Sequence, residues 1–428
     1  MAPGDIKKEG ALLDLAIAIS FLQASEQISF SQNNVLFLGE LGLDGNLRQV
    51  NGVLPLILGA MKLGFNKFFI PEENEFEVRF LKNVEIYTFK NINEVVGFLE
   101  KTAIKPPVKT MPFNPKLLEI DLDFLKLPPH LWRAISIVAS GRHNLLLYGP
   151  PGTGKTLIGK ALAHLLPPLN YDESLEITGI YSSCGELKDD FIFYPPFRSP
   201  HHTASPISIL GGGQNPKPGE ISLAHRGVLF LDELPEFRRD VLEGLREPLE
   251  NKEITITRVK KRMRIPSNFL FIGAYNPCPC GFYQDKEKEC TCSQADIRRY
   301  QKKISGPILD RLDVFLFIPR IEGGKIFKDD FVDIKKIKEQ ILEIKNLQFA
   351  RQGKYNGELS PKELKNYCGI DKQAEGILEK SVDRLKLSLR GVHKILRIAR
   401  TIADMETEKN INKNHITEAI QYRFWGND

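Results

Sequence analysis

The sequence predicts an α/β protein in which a parallel β-sheet with crossover helices is preceded by a smaller α/β domain and followed by a helical domain. Its 428 residues exceed the roughly 250–300 at which one hydrophobic core stops growing, so several domains are expected. From about residue 327 to residue 424 the periodicity is helical. Short apolar runs separated by helical or irregular segments indicate the parallel sheet, and they are Asn144–Tyr148, Val228–Leu231, Phe269–Ala274 and Val314–Ile318.

The segment before the sheet predicts the smaller α/β domain. From Val35 to Leu99 short apolar runs alternate with helical patterns. The run from Ala11 to Leu22 is interpreted as a helix, because Asp14 interrupts it and no signal-peptide cleavage site follows. A segment rich in proline and lysine is interpreted as an extended linker. The expected division is therefore an N-terminal domain at 1–100, the linker at 101–120, the sheet domain at 121–325 and the helical domain at 326–428.

Composition and charge are those of an ordinary globular protein. Hydrophobic residues make up 42% and charged residues 26% of the chain, which excludes a mainly disordered or fibrous chain. The 59 Lys+Arg and 54 Asp+Glu give a net charge of +5, which permits nucleic-acid binding without requiring it. No uninterrupted apolar stretch reaches the roughly 18 residues of a membrane span. A cytoplasmic protein without membrane contact is therefore expected.

Residues 149–156, with the sequence GPPGTGKT, match the pattern G-x-x-x-x-G-K-[ST] of a phosphate-binding loop, or Walker A motif. A strand-like run precedes the motif and a helical pattern follows it, which is the context that it requires. Its glycines turn backbone N–H groups inward, its lysine neutralises the β/γ-phosphates and its threonine is a hard ligand for Mg²⁺. ATP is predicted to bind at Gly149, Pro150, Pro151, Gly152, Thr153, Gly154, Lys155 and Thr156.

Two later strands end in polar side chains that complete this chemistry. Asp232 and Glu233 follow the run at 228–231, where one carboxylate can bind Mg²⁺ and the other can activate a water molecule. Asn276 follows the run at 269–274, the position at which AAA+ ATPases keep a sensor of the nucleophilic water, although it could also cap a loop before Pro277. These motifs predict ATP hydrolysis.

Four of the six cysteines, Cys278, Cys280, Cys290 and Cys292, lie within fifteen residues. Four thiolates can form a structural Zn²⁺ site, and no nearby histidine or carboxylate pattern indicates a catalytic one. Structural zinc sites mostly have two to four residues between paired ligands, whereas here one residue separates each pair. Free thiols and redox chemistry therefore remain alternatives to zinc.

The segment from Glu253 to Ile265 has a β-hairpin pattern with basic residues near its centre. A ring of such charges would bind a phosphate backbone, although lysine and arginine also protect an exposed sheet edge from aggregation. The DNA-contacting residues predicted here are Arg258, Lys260, Lys261, Arg262 and Arg264. The segment 197–214, with His201 and His202, is interpreted as a second insertion, and its histidines could equally pack or cap.

These motifs, together with PFRSPHHT at 196–203 and NPCPCG at 276–281, closely resemble the ComM (YifB) family, the magnesium-chelatase-like AAA+ ATPases. The resemblance covers nearly the whole chain. It implies an AAA+ core with a helical lid, a preceding domain of the Lon-protease and ribosomal S5-like type, and a ring-shaped homohexamer. The chain begins inside the family's N-terminal domain, so this domain is expected to be partial.

The resemblance also implies roles for single residues. Arg311 matches the arginine finger that reaches a neighbouring subunit's γ-phosphate, and Arg390 matches the sensor 2 arginine of the lid; either could instead form an ordinary salt bridge. Residues 39–52 are similar to the Lon proteolytic domain, but its Ser/Lys dyad is absent, since Ala11–Asp14 and Val53–Pro55 stand at those positions. Without nucleophile and base, proteolysis is not expected.

The function predicted from the residues and the resemblance is Mg²⁺-dependent ATP hydrolysis that drives a hexameric motor along single-stranded or branched DNA. The expected activity is that of a helicase or branch-migration enzyme in recombination or natural transformation. The alternative is a magnesium-chelatase-like ATPase that remodels a protein partner. A non-catalytic nucleotide switch is disfavoured because Lys155, Asp232, Glu233 and Arg311 are all present.

Overall fold

The structure is a computed structural model. It describes residues 10–31, 34–115, 122, 125, 127–188, 191–213, 216–258, 261–283, 285, 287–320 and 332–423. The chain forms two compact units. The first unit comprises Met1–Pro115 and Leu169–Phe193, and the second comprises Lys116–Pro168 and Tyr194–Asp428.

The first unit is built on a parallel sheet with the strand order β1 (Val35–Phe37), β4 (Lys67–Pro71), β5 (Glu85–Phe89). A separate antiparallel pair is formed by β2 (Glu40–Leu41) and β3 (Leu47–Arg48). A short 3₁₀ turn, Ala11–Leu13, precedes the first α-helix, which has 11 residues, so the predicted N-terminal helix is confirmed from Asp14 onward. The elements before residue 100 are α1 (Asp14–Ala24), β1 (Val35–Phe37), β2 (Glu40–Leu41), β3 (Leu47–Arg48), α2 (Val53–Lys62), β4 (Lys67–Pro71), α3 (Glu75–Val78), β5 (Glu85–Phe89) and α4 (Ile92–Leu99).

The second unit contains a five-stranded parallel sheet with the strand order β12 (Val314–Phe317), β6 (Leu145–Tyr148), β11 (Leu270–Tyr275), β8 (Val228–Leu231), β7 (Phe197–Arg198). Between residues 129 and 317 the chain forms, in order, α5 (Pro129–Gly141), β6 (Leu145–Tyr148), α6 (Lys155–Leu165), α7 (Tyr171–Cys184), β7 (Phe197–Arg198), α8 (Pro206–Leu210), α9 (Glu220–Leu223), β8 (Val228–Leu231), α10 (Arg239–Gly244), α11 (Arg246–Asn251), β9 (Glu253–Arg258), β10 (Lys261–Pro266), β11 (Leu270–Tyr275), α12 (Gln294–Gln301), α13 (Gly306–Leu309) and β12 (Val314–Phe317).

The strands of this sheet agree with the sequence prediction to within a residue at each end. Every residue of β8 and β11 is buried, as expected when helices cover both faces of a parallel sheet and the strands become continuous apolar runs. The edge strand β7 was not predicted, because its two residues have no readable periodicity. The predicted α/β fold class is confirmed.

Helix α7 belongs to the first unit although it follows α6 in the chain. It begins with a capping box formed by Asn170 and Glu173. Its Ser182 hydroxyl donates to the Glu77 carboxylate at 2.5 Å, and the Ser182 carbonyl accepts from Gly52 N at 3.0 Å. Burial raises the pKa of Glu77. The first unit is thus completed by residues from the middle of the chain.

The end of the second unit is helical, as the sequence predicts. Its helices are α14 (Ile334–Gln352), α15 (Pro361–Tyr367), α16 (Lys372–Leu385), α17 (Leu389–Met405) and α18 (Lys413–Gln421). Helix α17 packs on α5 and α18, and Ile395, Ile398 and Ile402 on its buried face join the main core cluster of the unit. Among the described residues, no helix combines the length and apolar character needed to cross a bilayer.

Candidate active site

The phosphate-binding loop, residues 149–154, connects the end of β6 to the start of α6. Gly152 and Gly154 have φ angles of 78° and 82°, a conformation that side chains other than glycine rarely adopt. At Gly149 a Cβ atom would lie 2.2 Å from the carbonyl oxygen of Ile318. The loop therefore depends on its glycines both for conformation and for close contact with the segment after β12.

Lys155, the first residue of α6, folds back over this loop. Its Nζ donates to the carbonyl oxygens of Gly149 at 2.9 Å and Pro150 at 2.8 Å, and to Asn276 Oδ1 at 3.1 Å. Burial lowers the pKa of Lys155 to about 8, and the nearby Asp232 carboxylate opposes this shift. The loop and this buried cation form a cradle that fits phosphate groups.

Asp232 lies directly after β8 and faces the start of α6. The Thr156 hydroxyl donates to Asp232 Oδ2 at 2.7 Å, and Glu233 N donates to Asp232 Oδ1 at 2.9 Å. A threonine hydroxyl and a carboxylate in contact are hard oxygen donors, the type that Mg²⁺ prefers. The two side chains therefore fit a magnesium ion beside the phosphate cradle.

Glu233 has a left-handed backbone conformation, with φ 51° and ψ 45°. Its side chain is half exposed, and Glu233 Oε2 lies 3.1 Å from Nδ1 of His202. The His202 ring in turn packs on that of His201, with 4.2 Å between ring centroids. The contact between His202 and Glu233 was not predicted, because the two-residue strand β7 that precedes His202 has no sequence signal.

Asn276 follows β11 and is positioned by its hydrogen bond with Lys155. Because β11 pairs with both β6 and β8, the carboxyl ends of these strands meet at one edge of the sheet. The structure thus brings together Lys155, Thr156, Asp232 and Asn276, with Glu233 directly beside them.

Arg311 lies in the turn between α13 and β12, where its side chain is mostly buried. It donates to the carbonyl oxygen of Pro307 at 2.6 Å and pairs with Glu250, near the end of α11. Lys394 of α17 donates to the carbonyl oxygens of Asp310 and, at 2.7 Å, Leu312, on either side of Arg311. The lid helix is thereby joined to the turn that carries Arg311.

Arg390 is the second residue of the same helix, α17, and is exposed. Within the part of the chain that the structure describes, no hydrogen bond or ion pair joins it to the phosphate-binding loop. Among the described residues, therefore, no contact supports its predicted role as a lid sensor.

The four clustered cysteines converge on one point. Their Sγ atoms all lie within 4.8 Å of one another, and the closest pairs are 3.3 Å and 3.6 Å apart. Four sulfur atoms around zinc, each at about 2.3 Å, would be about 3.8 Å apart. The cluster therefore has the donor type and nearly the spacing of a tetrahedral Zn²⁺ site, despite the narrow spacing of each pair in the sequence.

Hydrogen bonds and burial make these thiols unequal. Burial raises the pKa of Cys278 to about 12. Desolvation also acts to raise the pKa of Cys280, but hydrogen bonds from the backbone of Phe282 and from Cys278 outweigh it and place that pKa at about 6. Backbone N–H groups of Cys280 and Tyr283 donate to the sulfurs of Cys292 and Cys278. Such donors stabilise thiolates, the form that binds a metal.

The predicted basic hairpin is present as strands β9 and β10, which form a separate antiparallel pair. Arg258 pairs with Lys261 and Arg262 with Thr257 in the backbone register. Arg264 is exposed and lies 3.7 Å from Glu253. Lys260 lies outside the described residues. The structure therefore places four of the five predicted DNA contacts on one two-stranded element.

Comparison with known families and proteins gives consistent matches. The family described as "Magnesium chelatase, subunit ChlI" matches residues 121–326, its C-terminal family matches 333–423, and "Subunit ChlI of Mg-chelatase" matches 1–74. Competence protein ComM of Haemophilus influenzae is 39% identical over 433 residues, covering 99% of this chain and 84% of its own length. The chain belongs to the ComM/YifB family.

Two further relatives of this ComM/YifB member are informative. The uncharacterized protein YifB of Escherichia coli is 39% identical over 428 residues, covering 99% of the chain and 84% of its own length. Lon protease 2 of Bacillus subtilis is 31% identical over 113 residues, which are 26% of this chain and 20% of that protein. The family match indicates an AAA+-type ATPase, and the cradle around Lys155 fits the phosphate groups of a nucleotide.

Nucleotide binding is expected to become weaker as the pH rises through the pKa of Lys155, about 8. A bound phosphate favours the ammonium form, so binding raises this pKa and takes up a proton wherever the free protein has lost it. We expect no uptake below about pH 7 and close to ~1 proton per nucleotide near pH 9. Calorimetry in buffers of different ionisation enthalpy measures this proton uptake. Lys155→Arg, which stays charged, is the control, and unchanged uptake in this variant would exclude Lys155 as the source.

Proposed function

We propose that this protein is a Mg²⁺-dependent ATPase that assembles as a homohexamer and uses ATP hydrolysis to move along DNA, as a helicase or branch-migration motor in recombination or natural transformation. The observation that carries the ATPase part is the meeting of Lys155, Thr156, Asp232 and Asn276 at the carboxyl edge of one sheet. The basic hairpin and the name of the competence relative support DNA as the substrate of the motor.

Each side chain of the site has a distinct role in this proposal. Lys155 neutralises the β/γ-phosphates, while Thr156 and Asp232 hold Mg²⁺, which supplies charge stabilisation to the transferred phosphoryl group. Glu233 accepts a proton from the attacking water, and Asn276 orients that water. Arg311 acts on the nucleotide of a neighbouring subunit, and Arg390 acts from the lid.

We further propose that the four clustered cysteines bind one structural Zn²⁺. Their sulfur separations and their N–H···S hydrogen bonds support a closed site, in which all four positions are taken by protein ligands. A closed site cannot bind a substrate, so this zinc has no part in the chemistry of hydrolysis.

The experiment that tests the motor is steady-state ATP hydrolysis by the purified chain with and without single-stranded, duplex and four-way-junction DNA, at two salt concentrations. Stimulation by DNA that weakens at higher salt is the expected result, because phosphate contacts release counterions. A rate of ATP hydrolysis that no DNA changes would contradict the proposed DNA motor. It would favour the second candidate, a motor that remodels a protein partner, which the magnesium-chelatase family match supports.

Replacing Arg258, Lys260 and Lys261 together with alanine is expected to lower DNA affinity and to flatten its dependence on salt. Each lost phosphate contact reduces the slope of log K against log[salt] by about 0.7–0.9. Binding titrations at several salt concentrations measure this slope. A matched control removes three exposed lysines of the lid, Lys362, Lys365 and Lys372. Equal slopes in both triple variants would place the DNA path elsewhere.

A further inference from the structure

The cysteine loop, defined here as residues 277–283, 285 and 287–292, directly follows the candidate sensor Asn276. Asn276 accepts a hydrogen bond from Lys155, and Pro277 O accepts one from Gln301 Nε2 at 3.1 Å. Cys278, the first thiol of the cluster, follows directly and is buried. Asn276 thus lies between the end of β11 and the first cysteine of the cluster.

The same loop also touches the phosphate-binding loop. Gly281 closes a turn in which its N–H donates to the carbonyl oxygen of Cys278 at 2.9 Å. Its φ angle is 86°, and a Cβ atom there would lie 2.8 Å from Cδ of Pro151 and 3.9 Å from Cβ of Asn276. The backbone at residue 281 therefore packs directly against the loop that binds phosphate, between Pro151 and Asn276.

A second contact supports the loop from the neighbouring strand. Arg320, just after β12, lies 3.0 Å from Asp285 and 3.4 Å from Glu287, and its guanidinium packs on the ring of Phe282. Strand β12 pairs with β6, which leads into the phosphate-binding loop. The cysteine loop is thus held between that strand end and Pro151.

Within the described part of the cysteine loop there is no helix or strand, so its conformation depends on these contacts and on its thiols. A metal bound by all four sulfurs would join the turn at 278–280 to the segment at 290–292. It would thereby hold Gly281 against Pro151 and Asn276 beside Lys155. A nucleotide bound at the phosphate-binding loop and Lys155 would contact the same arrangement, and two ligands that favour one conformation strengthen each other's binding.

We propose that the cysteine loop is part of the nucleotide site, and that Zn²⁺ bound by Cys278, Cys280, Cys290 and Cys292 raises the affinity of the protein for ATP and ADP. This inference rests on the zinc proposal above and is independent of the DNA motor. The coupling is reciprocal, so nucleotide raises the affinity for zinc by the same factor. We expect a factor of about 5–150, the usual range for coupling between two sites.

The test compares the full chain loaded with zinc and stripped by a zinc-selective chelator, both kept reduced. Metal analysis is expected to give one zinc per loaded chain. Calorimetric titration with Mg·ADP is expected to give weaker binding, by about 5–150-fold, for the stripped protein. Competition with a chromophoric chelator, with and without saturating ADP, measures the reciprocal effect on zinc. Absence of bound zinc would overturn both proposals, whereas bound zinc with unchanged ADP affinity would overturn the coupling alone.

Two variants distinguish the effect of the metal on ADP affinity from the effect of the contact between Gly281 and Pro151. Cys290→Ser combined with Cys292→Ser is expected to lose zinc and to bind ADP like the stripped protein, while Cys184→Ser, outside the cluster, keeps both. Gly281→Ala is expected to keep zinc but to bind ADP more weakly, because its methyl group is forced against Pro151. Thermal unfolding of each variant shows whether it is folded. A folded Gly281→Ala variant with unchanged ADP affinity and unchanged coupling between zinc and ADP would show that the coupling does not depend on the contact between Gly281 and Pro151.

Discussion

Replacing Glu233 by glutamine is expected to lower kcat for ATP hydrolysis by about 10²–10⁴, the usual contribution of a general base. The amide has nearly the shape of the carboxylate but cannot accept the proton of the attacking water. Glu233 makes no contact with the phosphate-binding loop or with Lys155 among its described contacts. Affinity for ATP should therefore change little, and ATP should remain bound to the variant without turnover. Rapid-quench kinetics and equilibrium binding measure the two quantities.

Lys155→Ala is the matched comparison, because it removes the buried cation of the phosphate cradle itself. We expect this variant to lose affinity for ATP, and turnover as a consequence. The loss should be shared by ADP, since both nucleotides carry the β-phosphate. Equal loss of ATP affinity in Glu233→Gln and Lys155→Ala would contradict the separate roles of base and phosphate ligand.

Replacing Arg311 by alanine is expected to lower kcat by about 10³–10⁵, the range for removal of an arginine finger. Because the finger acts on a neighbouring subunit, Arg311→Ala and Lys155→Ala chains should complement each other when mixed. In an equal mixture about a quarter of the head-to-tail ring interfaces would join an intact nucleotide site to an intact finger. Steady-state hydrolysis of the separate and mixed variants measures this recovery.

The ion pair between Arg311 and Glu250 within this chain supplies the control. If Arg311 only stabilised the fold through this pair, Glu250→Gln would cause the same loss, and mixing would restore nothing. Glu250→Gln is instead expected to retain activity, as is Arg299→Ala on the exposed face of α12. Equal losses in Arg311→Ala and Glu250→Gln, without recovery on mixing, would exclude the finger.

The central strands and the phosphate-binding loop could be predicted from the sequence because their signals are local. A buried parallel strand is a short apolar run, and β8 and β11 are buried at every residue. The motif of the phosphate-binding loop predicts the backbone conformation of the loop, because Gly152 and Gly154 lie where positive φ angles are needed. Asp232 and Asn276 each follow an apolar run in the sequence. They are expected to lie close together because the carboxyl ends of parallel strands share one edge of a sheet.

What could not be predicted depends on contacts between distant segments. The pairing of Arg311 with Glu250 joins residues 61 positions apart, and neither position has a pattern that indicates the other. The one-residue spacing of each cysteine pair argued against zinc, yet the thiols converge because each pair comes from a different part of the loop. The contact of Gly281 with Pro151 had no sequence signal beyond a glycine after a cysteine.

The inclusion of residues 169–193 in the first unit has a consequence for covalent connectivity. The chain passes between the two units at residues 115–116, 168–169 and 193–194, so no single cleavage separates them. The last two passages lie between α6, which begins at Lys155, and β7, which leads to His202. A shortened chain beginning at residue 116 would keep α7 without α2, on which it packs, and would expose buried residues such as Ile177. Separate study of the nucleotide-binding unit would require deletion of residues 169–193 as well.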